Sequence, residues 1–380
     1  MKKNLVFLSA LLLGACVITS CSDDDSAKPQ EPDTPVLKDA TSGVYVVCSG
    51  NQSSKIDGSL TYFDLSSTPT LVPSAFKAAN GRSLGLTAND GVVYGSKLYI
   101  VVDAENTVEV VDARTQKSFK QLKTTELLGE KEGFTPRHIV ARDGKIYVDT
   151  YGGYVAVIDT VNYALVTRYQ VGSYPEGMAF IGDTLFVANS NYGMGDASLS
   201  AIELTTGKVT EIRHDDINNP TSLAAVGDAL YIVDGDVYDP TTWVVTKPGG
   251  LRVYQNGVAG IIMNGATAMG ANQIAVLGDS LFIVTDAYTD AASLTILNAK
   301  TNKSTMLQPQ GLGNVNAIGV DPVTKQIWAA CYTKDEGSEW ANYSAPGICI
   351  AYDLNGVKVD KMEFQTGVGP TAIVFNHIKK

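Results

Sequence analysis

Three segments of this chain repeat one grammar. Pro136-Arg-His-Ile-Val-Ala-Arg-Asp-Gly-Lys-Ile-Tyr-Val, Pro175-Glu-Gly-Met-Ala-Phe-Ile-Gly-Asp-Thr-Leu-Phe-Val and Pro220-Thr-Ser-Leu-Ala-Ala-Val-Gly-Asp-Ala-Leu-Tyr-Ile share it. Each is a short apolar strand, a tight Asp-Gly or Gly-Asp turn, and a second strand carrying an aromatic. They begin about 39 and 45 residues apart, and an all-strand period of roughly 40 to 50 residues signals a β-propeller. A propeller blade is a four-stranded antiparallel meander, with strands A to D running outward from the axis. Seven segments read as A strands: Ala88–Tyr94, Pro136–Ala141, Pro175–Ile181, Pro220–Val226, Ala271–Leu277, Val315–Val320 and Pro370–Phe375. Alternating apolar residues, as in Tyr154-Val-Ala-Val-Ile-Asp159, mark the strands that follow.

The ends predict how the ring closes. Pro370–Phe375 has no partner strands after it, while Gly43–Cys48 and Ser59–Asp64 are B and C strands with no A strand before them. Together they complete one blade, so the C-terminal strand joins the N-terminal blade and leaves no open edge. The expectation is an all-β, seven-bladed propeller spanning residues 40–380. The C strands end in Asp64, Asp112, Asp159 and Asp353, with Glu203 and Asn298 as variants. A turn-capping role explains why an acid recurs there in register.

Residues 1–20 read as a lipoprotein signal peptide. Met1-Lys-Lys-Asn is basic, and the apolar run Leu5–Leu13 is too short to span a bilayer. Both Cys16 and Cys21 follow small residues. Ser22-Asp-Asp-Asp25 directly after Cys21 favours that residue as the lipidated one. Residues 21–39 are rich in Asp, Ser, Pro, Lys and Glu and read as a disordered tether. Of the remaining cysteines, Cys48, Cys331 and Cys349, the last two flank one hairpin loop. They either pair or remain buried thiols.

The net charge of −11 argues against nucleic acid, whose phosphates require a basic stripe. The three histidines lack metal-binding spacing, and neither a Gly-x-Ser-x-Gly elbow nor a phosphate-cradling Gly-rich loop is present. The expectation is therefore a binding protein, not an enzyme. A carbohydrate-active lyase or hydrolase stays open, because such propellers bring their acids from separate blades. Asp234-Gly-Asp236 followed by Asp239 has the oxygen density for Ca²⁺ but lacks the distal Glu of an EF-hand loop.

Loop lengths predict which face works. The A–B turns are minimal, whereas the B–C loops of blades four to seven are long: Asn189–Asp196, Gly235–Gly249, Asp286–Asp290 and Tyr332–Ser344. Long loops on a rigid scaffold are where function concentrates. These carry Tyr192, Tyr238, Trp243, Tyr288, Trp340 and Tyr343, including two of the three tryptophans. Such side chains either anchor a ligand or pack the loops onto one another. Arg82, Arg137, Tyr151 and Tyr174 fall on the same face and are expected near the mouth of the central channel, with a plain strand-start surface charge as the alternative for Arg137.

Pro175-Glu-Gly-Met-Ala, Leu185-Phe-Val-Ala-Asn189 and Tyr154-Val-Ala-Val-Ile-Asp159 resemble the YncE-like seven-bladed propellers, over essentially the whole chain from Ser42. With the Cys-Ser-Asp-Asp-Asp leader, the chain is similar to the propeller lipoproteins of the Bacteroidetes cell surface, among them the BtuG-like cobalamin-capturing proteins. The resemblance implies an outer-membrane lipoprotein facing the cell exterior. It would capture a small nutrient, cobalamin or another corrinoid first, and deliver it to a TonB-dependent transporter. The alternative is a surface carbohydrate-binding or carbohydrate-active propeller.

Overall fold

Alternation of side chains along each strand is what builds the core. In Ala40–Cys48, Val44, Val46 and Cys48 pack with Trp328, Ala330 and Phe364, while Tyr45 and Val47 pack with Leu98, Ile100 and Ala372. A strand apolar on both faces must be covered on both, and stacked blades supply that cover. A computed structural model of the protein describes residues 40–66, 68–264 and 274–378. The expected leader and tether lie outside the described residues, as do the first three residues of the expected strand Ala271–Leu277.

The described strands form seven four-stranded antiparallel sheets, with one extra two-stranded hairpin. Blade one pairs Pro370–Ile378 with Ala40–Cys48, Ser59–Asp64 and Thr70–Val72. Blade two is Ala88–Tyr94, Lys97–Val102, Thr107–Asp112 and Ser118–Lys123. Blade three is Pro136–Arg142, Lys145–Thr150, Tyr154–Asp159 and Leu165–Gln170. Blade four is Pro175–Ile181, Thr184–Asn189, Ser198–Glu203 and Lys208–Ile212. Blade five is Pro220–Val226, Ala229–Asp234, Gly250–Gln255 and Val258–Asn264. Blade six is Ile274–Leu277, Ser280–Thr285, Ser293–Asn298 and Lys303–Leu307. Blade seven is Val315–Val320, Ile327–Cys331, Pro346–Tyr352 and Lys358–Val368.

Each inner strand abuts the inner strand of the next blade, and Pro370–Ile378 meets both Val315–Val320 and Ala88–Tyr94, which closes the ring. The closing ladder joins the two strands expected to meet, antiparallel, with Val44 opposite Phe375 and Val46 opposite Ile373.

Turn chemistry follows the sequence. Asp143 and Gly144 both take positive φ, 51° and 71°, as a tight hairpin of matching twist requires. The recurring acids cap turns. Asp112 accepts from the Thr115 amide at 2.7 Å, Asp159 from Asn162 at 2.9 Å and Asp353 from Asn355 at 2.8 Å. Backbone hydrogen bonds hold the Asp353 carboxyl below its ordinary value. Two short helices, Ala75–Asn80 and Thr124–Leu128, lie in the connections that leave blades one and two. Cys48, Cys331 and Cys349 are free and buried. Burial pushes the Cys48 thiol up to about 11 and Cys331 to about 12, so all three act as apolar packing.

Removing residues 370–380 would strip blade one of its inner strand and uncover ladder edges on Ala40–Cys48. Thermal unfolding and size-exclusion chromatography of this truncation should show aggregation and no cooperative transition. A cooperative melt at the full-length temperature would contradict the closure.

Candidate functional site

The B–C loops of blades four to seven are internally organised, which leaves selected aromatics outside. In blade five the insertion folds into its own hairpin, Val237–Tyr238 with Val245–Lys247. Its tip is capped by Asp239, which accepts from the Thr241 and Thr242 amides at 2.9 and 2.8 Å. Trp243 follows with φ 56° and stands 75% exposed. In blade seven, Asn342 donates to Asp335 at 2.9 Å and the Asn342 amide to the Thr333 carbonyl at 2.8 Å. That closed loop leaves Trp340 77% exposed. The third tryptophan, Trp328, is core.

The tyrosines divide. Tyr343 meets Tyr332 edge-on at 4.8 Å, and Tyr288 donates to Asn316 at 3.1 Å, so both partly brace loops. Tyr238 is exposed beside Asp236. Tyr151, Tyr174 and Tyr192 form one cluster, with ring centroids 4.3 to 5.3 Å apart. Between the loops of blades six and seven lies a cleft of about 510 Å³, bridged by Lys334 and Asp290 at 2.6 Å.

A second constellation sits on the inner strands. Several of these carry a bulge directly after their first residue, for example between Ala88 and Asp90, Pro136 and Ile139, and Pro175 and Gly177. A bulge re-aims the side chains around it. Arg137, the second residue of its strand, donates to Asp103 at 2.8 Å, to Asn89 at 3.2 Å and to Glu176 at 3.2 Å. Asn89 returns a 2.6 Å bond to the Arg137 carbonyl. The guanidinium lies 4.9 Å from the Tyr151 ring centre, and the Tyr151 hydroxyl donates to Glu176. Arg137 is thus the hub joining blades two, three and four, not a loose surface charge. Burial opposes its charge, but Glu176 and Asp103 more than offset this and raise its pKa.

Below it, Asp90 accepts from the Gly91 and Ile139 amides at 2.8 and 3.1 Å, and Asp149 from the His138 amide at 2.6 Å. Burial pushes Asp90 up to about 6 and Asp149 well above the carboxylate range. Burial, with help from Arg137, pushes His138 down to about 3.

One expectation is corrected. Arg82 does not reach the channel mouth. It lies 4.9 Å from the Phe76 ring centre and pairs at 2.7 Å with Glu109, against the outer strands of blade two. The three carboxylates whose oxygen density was noted for Ca²⁺ serve separate partners. Asp234 accepts from the Asn219 amide at 2.6 Å, Asp236 from Gly249 at 2.6 Å, and Asp239 caps its own turn. Among the described residues no group of three such side chains could hold a metal ion. Asn89, Asp90, Asp103, Asp149 and Glu176 were not singled out from the sequence. For Asn89 and Glu176 the signal was the second position of the repeat, filled in other blades by Arg137, Thr221, Asn316 and Thr371; Asp90, Asp103 and Asp149 lie outside it.

Comparison with known proteins fits this architecture. Residues 42–376 match the family described as Domain of unknown function (DUF5074), and the chain belongs to it. No curated protein sequence matches the chain. Kuenenia stuttgartiensis hydrazine synthase superposes with a TM-score of 0.58 at 17% identity, covering 81% of this chain and 95% of that one. A Bacteroides fragilis NCTC 9343 protein proposed to be a 6-phosphogluconolactonase gives 0.58 at 13%, covering 88% and 98%. U3-55K gives 0.56 at 11%, covering 85% and 99%. At such identities the likeness is one of fold alone. It does not extend to the narrower YncE-like or BtuG-like resemblance.

The Asp90 shift makes stability depend on pH. A buried acid raised to about 6 binds more protons folded than unfolded between pH 4 and 6, so its stabilising contribution is lost as pH rises through that window. His138, lowered to about 3, acts in the opposite sense, losing stability as pH falls below about 6.5. Asp90→Asn isolates the first effect. Urea unfolding should show the variant gaining about 2 kcal/mol on the wild type between pH 4 and pH 7. A difference independent of pH would contradict the assignment.

Proposed function

We propose that the protein is a surface lipoprotein whose long-loop face captures a small, largely planar, uncharged nutrient. It acts as a binding module, not an enzyme. The observation that carries this reading is the exposure of Trp243 and Trp340, 75% and 77%, on ordered loops of two different blades. Exposed rings of this size on braced loops fit ligand anchors, because they offer large apolar area at small entropic cost. The net charge of −11 disfavours a polyanion. A corrinoid is the leading candidate. Its macrocycle supplies a face for the aromatic rings, and its amide fringe suits the Asn, Asp and Tyr groups around them. Delivery to a TonB-dependent transporter of the outer membrane follows from the same resemblance. Polar residues flank each tryptophan in the chain, Thr241 and Thr242 before Trp243 and Ser338 and Asn342 on either side of Trp340, and favour a carbohydrate as the second reading.

Calorimetry of the full chain with cyanocobalamin, and with a panel of glycans, separates the two. Trp243→Ala and Trp340→Ala should each weaken binding about thirtyfold, equivalent to about 2 kcal/mol, while Phe119→Ala on an outer strand should not. No heat with cyanocobalamin removes the corrinoid. Binding unaffected by both tryptophan changes removes the face.

The anchor is tested separately. Cys21→Ala should abolish acylation and release the protein from the membrane fraction, and Cys16→Ala should not. Mass spectrometry finding the acyl chains on Cys16 would reverse the assignment.

A further inference from the structure

The B–C loop of blade one and the connection from blade one to blade two enclose a cavity of about 320 Å³, well above the roughly 10–15 Å³ one water requires. Lys55, Asp57, Ser74, Lys77 and Ser83 line it, together with the buried residues Phe76 and Leu84. The two segments join where the Gly58 amide donates to the Gly85 carbonyl at 2.6 Å. The loop is also tied to blade seven, by Asn51 donating to the Tyr343 carbonyl at 2.8 Å and by the Ser54 and Ser344 hydroxyls at 2.9 Å. The cavity therefore lies on the face of the long loops, in a sector that carries neither exposed tryptophan.

Ordered elements bring two cations to this cavity. Asn51 and Ile56 exchange two backbone hydrogen bonds of 2.9 Å, and the Asn51 side chain accepts from the Ser54 amide at 2.9 Å. Lys55, inside that loop, takes φ 55°, a conformation that glycine or asparagine ordinarily fills. Lys77 belongs to the short helix Ala75–Asn80, which is seated by its buried Phe76. Among the described residues neither ammonium group has an ion-pair or hydrogen-bond partner. Ser74 precedes the helix, yet its hydroxyl makes no capping bond. The carboxylate in the wall, Asp57, accepts from the Ser83 hydroxyl at 2.6 Å.

Charge and donor count define the occupant. The wall sets two ammonium groups against one carboxylate, in a chain whose net charge is −11. Two like charges that converge on one cavity without ion-pair partners repel each other and any added cation, and an anion relieves both. The acids elsewhere in the chain are screened from it beyond about 8 Å at physiological salt. An apolar guest would strip water from the ammonium and hydroxyl donors and leave them unpaired. Lys55, Lys77 and Ser74 come from different points of the wall, so their donors suit an acceptor whose oxygens point in several directions. That describes a tetrahedral group better than a planar carboxylate.

We propose that this cavity binds a single tetrahedral oxyanion, a phosphate or sulfate group, either free or carried as a monoester. Lys55 and Lys77 supply the charge, and the Ser74 hydroxyl adds a hydrogen bond. The site needs neither Trp243 nor Trp340, so it and the capture of an uncharged nutrient stand or fall separately.

The test follows the Gly58 and Ser83 amides, which belong to the cavity wall, by ¹H–¹⁵N NMR of the full chain during titration with sodium phosphate. The expected result is a saturable shift that sodium chloride at equal ionic strength does not reproduce. Lys55→Gln and Lys77→Gln should each weaken binding about tenfold, through loss of a charged hydrogen bond. Ser74→Ala should weaken it severalfold. Lys303→Gln, on the outer strand of blade six, should leave it unchanged. Parallel titrations with phenyl phosphate and sodium sulfate distinguish the sources. Tighter binding of the ester assigns the site to a group carried on a larger ligand, and tighter binding of either inorganic ion assigns it to the free anion. A shift that does not saturate, or that chloride reproduces, would mean adventitious ion binding only and would overturn the proposal. Affinity unchanged in both lysine variants would do the same.

Discussion

The pairing of Pro370–Ile378 with Ala40–Cys48 is the contact on which the remaining structure depends. Every blade in the ring buries both faces against neighbours, so opening one seam uncovers two faces and two ladder edges together. The closing strand is pinned on both sides. His377 bonds Asp321 of blade seven at 3.0 Å, and Asn376 donates to the Ala113 carbonyl of blade two at 2.8 Å. Thr41 adds a 2.5 Å bond to the other oxygen of Asp321. Burial alone would raise the Asp321 carboxyl, but these bonds and those from Val323 and Thr324 outweigh it and hold the group lowered. The two ends of the domain are thus fastened by directional polar contacts as well as by apolar packing.

The blades were legible because their signal is local. A proline-led strand, a Gly-Asp turn and a second alternating strand sit within about a dozen residues, and repetition fixes their register. The two exposed tryptophans were legible because loop length and residue type coincide in the sequence. The Arg137 hub was not, beyond Arg137 and Tyr151 themselves. Its partners come from three blades, Asn89, Asp103 and Glu176, and what joins them is a bulge that pairing geometry creates. Arg82 was misplaced for a related reason. The short helix Ala75–Asn80 docks on blade two through Asn80, which reaches the Gln116 carbonyl at 2.8 Å, and this carries Arg82 outward. No periodicity announces a helix of six residues. The partners of Asp234, Asp236 and Asp239 were not legible, because sequence proximity says nothing about which amides claim each carboxylate.

The ring is functionally uneven. Blades two and three have short B–C loops and hold the charged hub with their neighbour, blade four, whereas blades four to seven carry the long loops and the exposed aromatics. The two sectors obey different physics. On the loops, affinity for a ligand would come from apolar area left uncovered on an ordered frame, which costs little to maintain. In the hub, several charges are held with side-chain exposures of 19% for Arg137, 15% for Asp103 and 10% for Glu176. Removing such charges from water is expensive, and an apolar replacement of equal volume is often no less stable.

Stability alone is therefore a poor reason for this hub. A packed channel would be made more simply from valine and leucine, as the flanks of the same strands are. What a charged hub does supply is orientation. Arg137 fixes Glu176, Glu176 fixes the Tyr151 hydroxyl, and Tyr151 positions the rings of Tyr174 and Tyr192. Tyr192 belongs to the long loop of blade four, so the chain of contacts runs from the inner strands out to the face that carries the exposed aromatics. A disturbance at either end of that chain has a continuous set of polar and aromatic contacts along which to be felt at the other.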